Sequence, residues 1–327
     1  MKKQLVIGID VGGTNTEIGV VNANGQILCH STISTVISDN FDEYINYLAK
    51  EVNACIDKIG EKSDFLGIGV GAPNANYYTG TIDYAPNLLW KGILPFSEKL
   101  SKACQLKVVL TNDANAAAIG EGVYGGAKFM KHYAVITLGT GLGSGIVCDG
   151  KLLYGHDGFA GEFGHIVVNN KSHRLCGCGR HGCLETYASA TGIVKTMKSL
   201  LQKSEQHSLL REIPSDKLTS LDIHKAAHKN DELALKAFDI TADVLAISLA
   251  NLTAVLSPEA IFLSGGLAKA GNILFDPLQT YYDKYILPLF KGKTLILPSQ
   301  LPNGNTGLMG AAALALSEIK ELQLENK

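Results

Sequence analysis

Short β-rich runs separated by glycine-bearing turns open the chain. In "LVIGIDVGGTNTEIGVVNANGQILC" one apolar run reaches Asp10, Gly12 and Gly13 turn the chain, a second run reaches Val21, and "NANG" leads into a third. This pattern predicts a meander of antiparallel hairpins. The period then changes. Over residues 41–59, Phe41, Tyr44, Ile45, Leu48, Val52, Cys55, Ile56 and Ile59 recur at helical spacing, which predicts an amphipathic helix. "FLGIGVGAPN" reads as a strand, "TIDYAPNLLW" as a loop, and "LKVVLTND" as a strand feeding the alanine-rich helix "ANAAAIGEGVYG".

A second meander repeats the logic of the first. "HYAVITLGTGLGSGIVCDGKLLYG" gives strand, glycine loop, strand, an Asp149-Gly150 hairpin turn, and strand. A helical stretch from about 190 to 256 follows, ended by Pro258. "AIFLSGGLAKAG" reads as a buried strand, two glycines and a helix start, and "GLMGAAALALSEIKELQ" as a helix of small residues able to approach a neighbour closely. Two strand–glycine–strand units in one chain suggest two related lobes. At 327 residues a single core nears its size limit, so two lobes with a cleft between them are expected on length as well.

Composition narrows the functional classes. With 46% apolar and 18% charged residues the chain is ordinary for a globular protein. A net charge of -2 offers no basic field to a nucleic-acid backbone, so no nucleic-acid partner is expected. The greasiest run, "VLAISLANLTAVL", is shorter than a bilayer span and contains Ser248, Asn251 and Thr253, and "MKKQLVIGID" is too short for a secretory leader. Neither a membrane segment nor export is expected. Of seven cysteines, Cys29, Cys55, Cys104 and Cys148 stand singly among apolar neighbours, as reduced core residues of a cytoplasmic protein would.

Three glycine loops each follow a strand: Gly12-Gly13-Thr14, the run Gly139-Thr140-Gly141-Leu142-Gly143, and Gly265-Gly266. Glycine lets backbone N–H groups approach phosphate oxygens, so nucleotide binding is the functional reading; tight hairpins alone would also use glycine. The first two loops lead into strands, which argues against a dinucleotide fingerprint, and no G-x-x-x-x-G-K-[ST] occurs. Asp10, just before the first loop, could hold magnesium or its waters beside phosphates, or could simply form the turn. Asp113 sits where a strand meets a helix. There it could take a proton from a substrate hydroxyl, or it could cap the helix.

"LCGCGRHGCLE" supplies Cys176, Cys178 and Cys183. An odd trio argues against a disulfide knot, whereas thiolates with one histidine suit tetrahedral zinc; His165, His173 and His181 are all near enough in sequence. Four protein ligands would make the zinc structural. A loop pinned by metal would hold Glu185, and with His165 as the ligand it would gather Glu162 also, giving a polar grip for a polyhydroxylated ligand.

Together "IGIDVGGTNTEIGV", "LTNDANAAAIGE", "TLGTGLGSGIV", "GFAGEFGHI", "CGCGRHGCLE" and "IFLSGGL" resemble the ROK family of repressors, open reading frames and kinases. The resemblance implies an α/β protein of the actin-like ATPase and sugar-kinase (ribonuclease H-like) fold. It implies Asp113 as general base for a sugar 6-hydroxyl, sugar contacts from Asn87, Asn112, Asp113, Glu162, His165 and Glu185, and zinc ligands His165, Cys176, Cys178 and Cys183. The nucleotide would be lined by Asp10, Gly12, Gly13, Thr14, Thr140, Gly141, Gly265 and Gly266.

Because the first strand begins at about Gln4, the kinase branch is favoured over repressors carrying an N-terminal helix-turn-helix. "GAPNANYYTGTIDYAPNLLW" looks most like bacterial glucokinases, with one departure: Asn74 follows Pro73 where many relatives have glycine. The expectation is therefore an ATP- and magnesium-dependent glucose 6-kinase with structural zinc, whose partners are a small sugar and ATP, working as a homodimer or homotetramer. The rivals are kinases for N-acetylglucosamine, N-acetylmannosamine or fructose, and a non-catalytic sugar sensor. The smaller lobe is expected over 1–112 with a C-terminal helix at about 309–327, and the larger over 113–308, with the zinc loop at 165–185.

Overall fold

The computed structural model describes residues 4–301 and 306–325. The first meander forms as expected: β1 (Leu5–Val11), β2 (Asn15–Asn22) and β3 (Ile27–Ser34) pair antiparallel in order. The helix read from spacing is α1 (Phe41–Ile59), capped by Asn40, whose side chain accepts the N–H groups of Asp42 and Glu43. Such a cap contributes about 1 kcal/mol. Strand β4 (Phe65–Gly71) runs parallel to β1.

The segment read as a loop, 81–90, opens with a short strand and has another on either side of it. β5 (Ala75–Asn76), β6 (Thr81–Asp83) and β7 (Ile93–Leu94) form a small antiparallel sheet, too short for alternation to register in sequence. Then come α2 (Phe96–Cys104), β8 (Val108–Thr111) and α3 (Asp113–Tyr124).

The second meander is β9 (Tyr133–Leu138), β10 (Leu142–Cys148) and β11 (Lys151–Leu152). The predicted helical stretch divides into α4 (Ala190–Lys203), α5 (Ser220–Ala227) and α6 (Glu232–Leu256). The breaks have physical causes: Thr219 and Asp222 make a reciprocal capping box, and Asp231 caps α6 by accepting the Ala234 N–H. β12 (Ala260–Ser264), α7 (Asn272–Tyr285), β13 (Leu295–Pro298) and α8 (Thr306–Glu325) complete the chain. Among the described residues no helix is long and apolar enough to cross a membrane.

The two larger sheets share a plan. Their orders are β3-β2-β1-β4-β8 and β11-β10-β9-β12-β13, each an antiparallel meander extended by two parallel strands. The two glycine turns read from sequence thus fall at equivalent places in a repeated sheet topology.

Contacts divide the chain into two compact units. One holds Met1–Met130, Gly145–Gly161 and Gln300–Lys327; the other holds Lys131–Ser144 and Glu162–Ser299. The division falls at Met130, not at 112 as the sequence suggested. Helix α3 stays with the first unit because it packs against α8: a Cβ on Gly310 would come within 2.3 Å of the Ala116 carbonyl oxygen. Buried Glu121 adds to this by accepting the N–H groups of Gly126 (2.8 Å) and Gln300 (2.9 Å).

In the first unit, Leu5, Ile7 and Ile9 of β1 join a core with Tyr44, Leu48 and Val52 of α1, while Val6 faces the other way onto Leu308 and Ala312 of α8. Helix α8 lies almost on the sheet backbone. A Cβ on Gly69 would stand 1.9 Å from the Ala311 carbonyl oxygen, so only glycine fits there. This close seating brings the start of α8 to the end of β1.

Candidate active site

In the first unit the end of β1 and the start of α3 bring two carboxylates near one another. Asp113 is the first residue of α3, but it does not cap the helix. Asn112 does, accepting the Asn115 N–H at 2.6 Å through Oδ1, while Asp113 Oδ1 accepts the adjacent Ala114 N–H at 2.9 Å. Burial by surrounding protein raises the Asp113 pKa, and the N–H bonds of Ala114 and Asp113 itself pull the other way. The residue nevertheless keeps open solvent contact, as a group that exchanges protons requires.

Asp10 lies against the first turn of α8, where a Cβ on Gly307 would be 2.0 Å from its Oδ2. The helix N-terminus favours a negative charge there. Even so its pKa is pushed up to about 7, by burial first and then by Asp113 and Glu17. Two carboxylates sharing a poorly solvated corner oppose each other's ionisation, which a cation would relieve. Gly71 keeps the corner open, since a Cβ there would sit 3.3 Å from Ala116 Cβ and 4.0 Å from Asp10 Oδ1.

The Gly12-Gly13-Thr14 turn closes by Gly12 N–H to the Asn15 carbonyl (2.9 Å), and the Thr14 carbonyl accepts the Thr35 N–H (2.8 Å). A Cβ on Gly13 would lie 2.8 Å from the Asn87 carbonyl oxygen, so the exposed Asn87 loop rests directly on the turn. Asn74, the departure from glycine after Pro73, has φ 52°. Asparagine tolerates the left-handed region, and its side-chain amide donates to the Asp83 carbonyl at 3.1 Å, so the backbone that glycine would serve is preserved.

In the second unit His165, Cys176, Cys178 and Cys183 come together with ligand atoms all within 4.8 Å of one another. His173 and His181 are not in the group. Cys176 Sγ lies 3.5 Å from His165 Nδ1, and Cys178 Sγ 3.7 Å from Cys183 Sγ. Ligands of tetrahedral zinc, with bonds of ~2.3 Å to sulfur, stand roughly 3.8 Å apart, so the nitrogen-and-sulfur set suits zinc in type and spacing. Burial pushes the Cys176 thiol up to about 12. Burial also acts to raise Cys178, but the Arg180 N–H and guanidinium, with the neighbouring thiols, hold it down to about 6. Three sulfurs this close can all ionise only around a cation.

The loop is folded by backbone as well. Cys176 N–H donates to the Arg180 carbonyl (2.8 Å), Gly179 and Gly182 take positive φ, and the Arg180 guanidinium donates to the His165 carbonyl (2.9 Å). His165 has its Nδ1 toward the sulfurs and its Nε2 3.6 Å from Glu162 Oε2. Glu185 accepts the Leu142 N–H at 3.0 Å through Oε2, and a Cβ on Gly141 would stand only 2.3 Å from that oxygen. The cysteine loop is thereby joined to the second glycine turn. The start of α4 ties down the same turn, with Ala190 N–H to the Gly139 carbonyl (2.8 Å) and Thr191 hydroxyl to the Thr140 carbonyl (2.9 Å).

Gly265 has φ 90° and packs on Leu138 of β9, whereas Gly266 has no atom within 4 Å of where a Cβ would stand. It opens onto a cavity of about 260 Å³ lined by Ser220, Leu221, His224, Phe238, Leu267 and Lys269. The sequence reading missed this lining. Ser220 and His224 lie on α5, which apolar spacing alone merges with its neighbours; the capping pair Thr219 and Asp222 was the available signal.

The glycine turn after the first strand of each sheet, the free acid at a helix start and the histidine–cysteine cluster define a kinase-like α/β protein of the actin-like ATPase class. The chain belongs to the ROK family, whose model matches residues 6–318. It is 34% identical over 321 residues to the glucokinase of Thermotoga maritima, covering 98% of this chain and 99% of that one. The ROK family glucokinase of Streptomyces griseus, solved in complex with glucose and AMPPNP, is 33% identical with a TM-score of 0.79, covering 95% of this chain and 99% of that chain. The ROK hexokinase of Thermus thermophilus is 27% identical with a TM-score of 0.83, covering 97% and 99%.

Proposed function

We propose that this chain is an ATP-dependent glucokinase, transferring the γ-phosphoryl group of ATP to the 6-hydroxyl of glucose. The observation that carries the reading is the state of Asp113: a carboxylate at a strand–helix junction, relieved of capping by Asn112, with its pKa raised by burial. Such a group suits removal of a hydroxyl proton as the 6-oxygen attacks phosphorus and ADP leaves.

Asn87, Asn112, Glu162, His165 and Glu185 would hold the sugar. Asn112 has spent Oδ1 on its cap, so its amide N–H groups are what it offers a hydroxyl. Glu185 accepts one backbone N–H and retains lone pairs for sugar O–H donors. Asp10, Gly12, Gly13, Thr14, Thr140, Gly141, Gly265 and Gly266 would serve the nucleotide, with its base in the cavity beside Gly266. Magnesium, held through Asp10, would supply charge neutralisation at the phosphates. Zinc on His165, Cys176, Cys178 and Cys183 would be structural, fixing the loop that carries Glu185. The reading extends to a cytoplasmic homodimer or homotetramer supplying glucose 6-phosphate to glycolysis.

A panel of glucose, N-acetylglucosamine, N-acetylmannosamine and fructose in an ADP-coupled assay tests it. Glucose should give the highest kcat/KM. Preference for another sugar would reassign the substrate, and sugar binding without ADP release would make the protein a sensor.

A further inference from the structure

Asn87 has no regular element to hold it, yet its loop is closed on every side but one. At the neck Tyr84 N–H donates to the Gly92 carbonyl at 2.8 Å, and Gly92 takes φ 90°. Below, Ala85, Leu88 and Trp90 are buried, with Trp90 against Phe41 and Tyr44 and its indole N–H on the Ser38 carbonyl at 3.2 Å. Behind, the Asn87 carbonyl rests on Gly13.

What remains is a set of loop carbonyls turned toward one side chain. The Lys91 ammonium donates to the carbonyls of Leu88 (2.7 Å), Pro86 (3.2 Å) and Ala85 (3.3 Å), residues that bracket Asn87. An ammonium has three N–H donors, and here all three are matched by backbone acceptors of one turn. We propose that Lys91 is a positioning residue for sugar binding: it fixes the Ala85–Lys91 loop in the shape that presents Asn87, without touching the sugar. The inference rests on the glucokinase reading, in which Asn87 contacts glucose. Misplacement of a binding group by about 1 Å is enough to change such constants by an order of magnitude or more.

The chain has one tryptophan, Trp90, and it lies in this loop, so its fluorescence reports on the loop alone. Lys91→Met keeps the aliphatic stem and removes the donors. It should raise the glucose KM roughly tenfold with kcat and the ATP KM within about twofold, and should make Trp90 more accessible to acrylamide quenching. Asn87→Ala should raise the glucose KM by at least as much, and Lys91→Met added to it should cost nothing further. Lys91→Arg, which retains N–H donors, should restore most of the affinity.

Two results overturn the proposal: Lys91→Met leaving glucose KM and quenching unchanged while Asn87→Ala raises KM, or Lys91→Met weakening binding equally in the Asn87→Ala background. If Asn87→Ala itself leaves glucose binding intact, the sugar role of Asn87 falls instead, and the proposal with it. Lys91→Met would then still raise quenching if the loop is held as described.

Discussion

The two units hold their candidate site residues by opposite means. In the first, Asp10 and Asp113 stand at the ends of regular elements, fixed by a helix seated on a glycine-faced sheet and by the Asn112 cap. In the second, Glu162, His165 and Glu185 lie in a long irregular stretch whose helical elements there are single 3₁₀ turns, joined by histidine, three cysteines and a few backbone bonds. Regular structure satisfies its own hydrogen bonds and stays put without help, whereas a loop of this length needs a cross-link to avoid losing its order. Removing a side chain from the first region should therefore alter chemistry and leave the fold intact; in the second it should alter both.

Asp113→Ala breaks the comparison most severely. The side chain bonds only backbone N–H groups of its own turn, so stability should change little, while kcat should fall on the order of 10³-fold with glucose affinity kept within a few-fold. Steady-state kinetics beside isothermal titration with glucose measure both. Near-normal turnover in this variant would remove the acid from the mechanism.

Next in size is the cysteine loop. Cys178→Ser, or prolonged chelation, should strip zinc as read by plasma mass spectrometry, raise the glucose KM roughly tenfold through a loosened Glu185, and lower the Tm, with the ATP KM much less affected. The asymmetry is the point: the same treatment should leave hydrogen-exchange protection of β1 and α3 unaltered. Protein that is purified without chelators, is fully active and holds no zinc would refute the cross-link account.

These contrasts also explain what was legible beforehand. The helix over 41–59 showed in its spacing because one of its faces is buried, and both meanders showed because turns punctuate them. The cysteines and His165 were readable as a chemical set, but spacing left three histidines open, since a loop's path is set by bonds such as that between Arg180 and the His165 carbonyl. Helix boundaries between 190 and 256 were lost because capping residues, not apolar periodicity, mark them. The reason for the glycines was only half visible. Gly13 and Gly141 are required by the Asn87 carbonyl and the Glu185 carboxylate that lie where a Cβ would be, neighbours far away in sequence. Lys91 carried no sequence signal at all, because its partners are backbone carbonyls.

The smallest effect separates the two regions by pH. Asp10 ionises near pH 7 in the folded protein against an ordinary value of 3.8, so between these limits the folded state holds a proton that the unfolded chain has released. Stability from this group therefore falls as pH rises from about 4 to about 7 and levels off above. Asp10→Asn, which stays neutral, should match the parent Tm near pH 4 and exceed it increasingly toward pH 7 in the absence of magnesium, by several degrees in thermal unfolding. Magnesium with nucleotide should erase the difference, because a cation beside Asp10 and Asp113 favours the charged carboxylates. A Tm gap that is flat across this pH range would mean that the corner is better solvated than the close approach of Asp10 to α8 implies. The first region would then owe its order to packing alone, with no charge held in reserve for the metal.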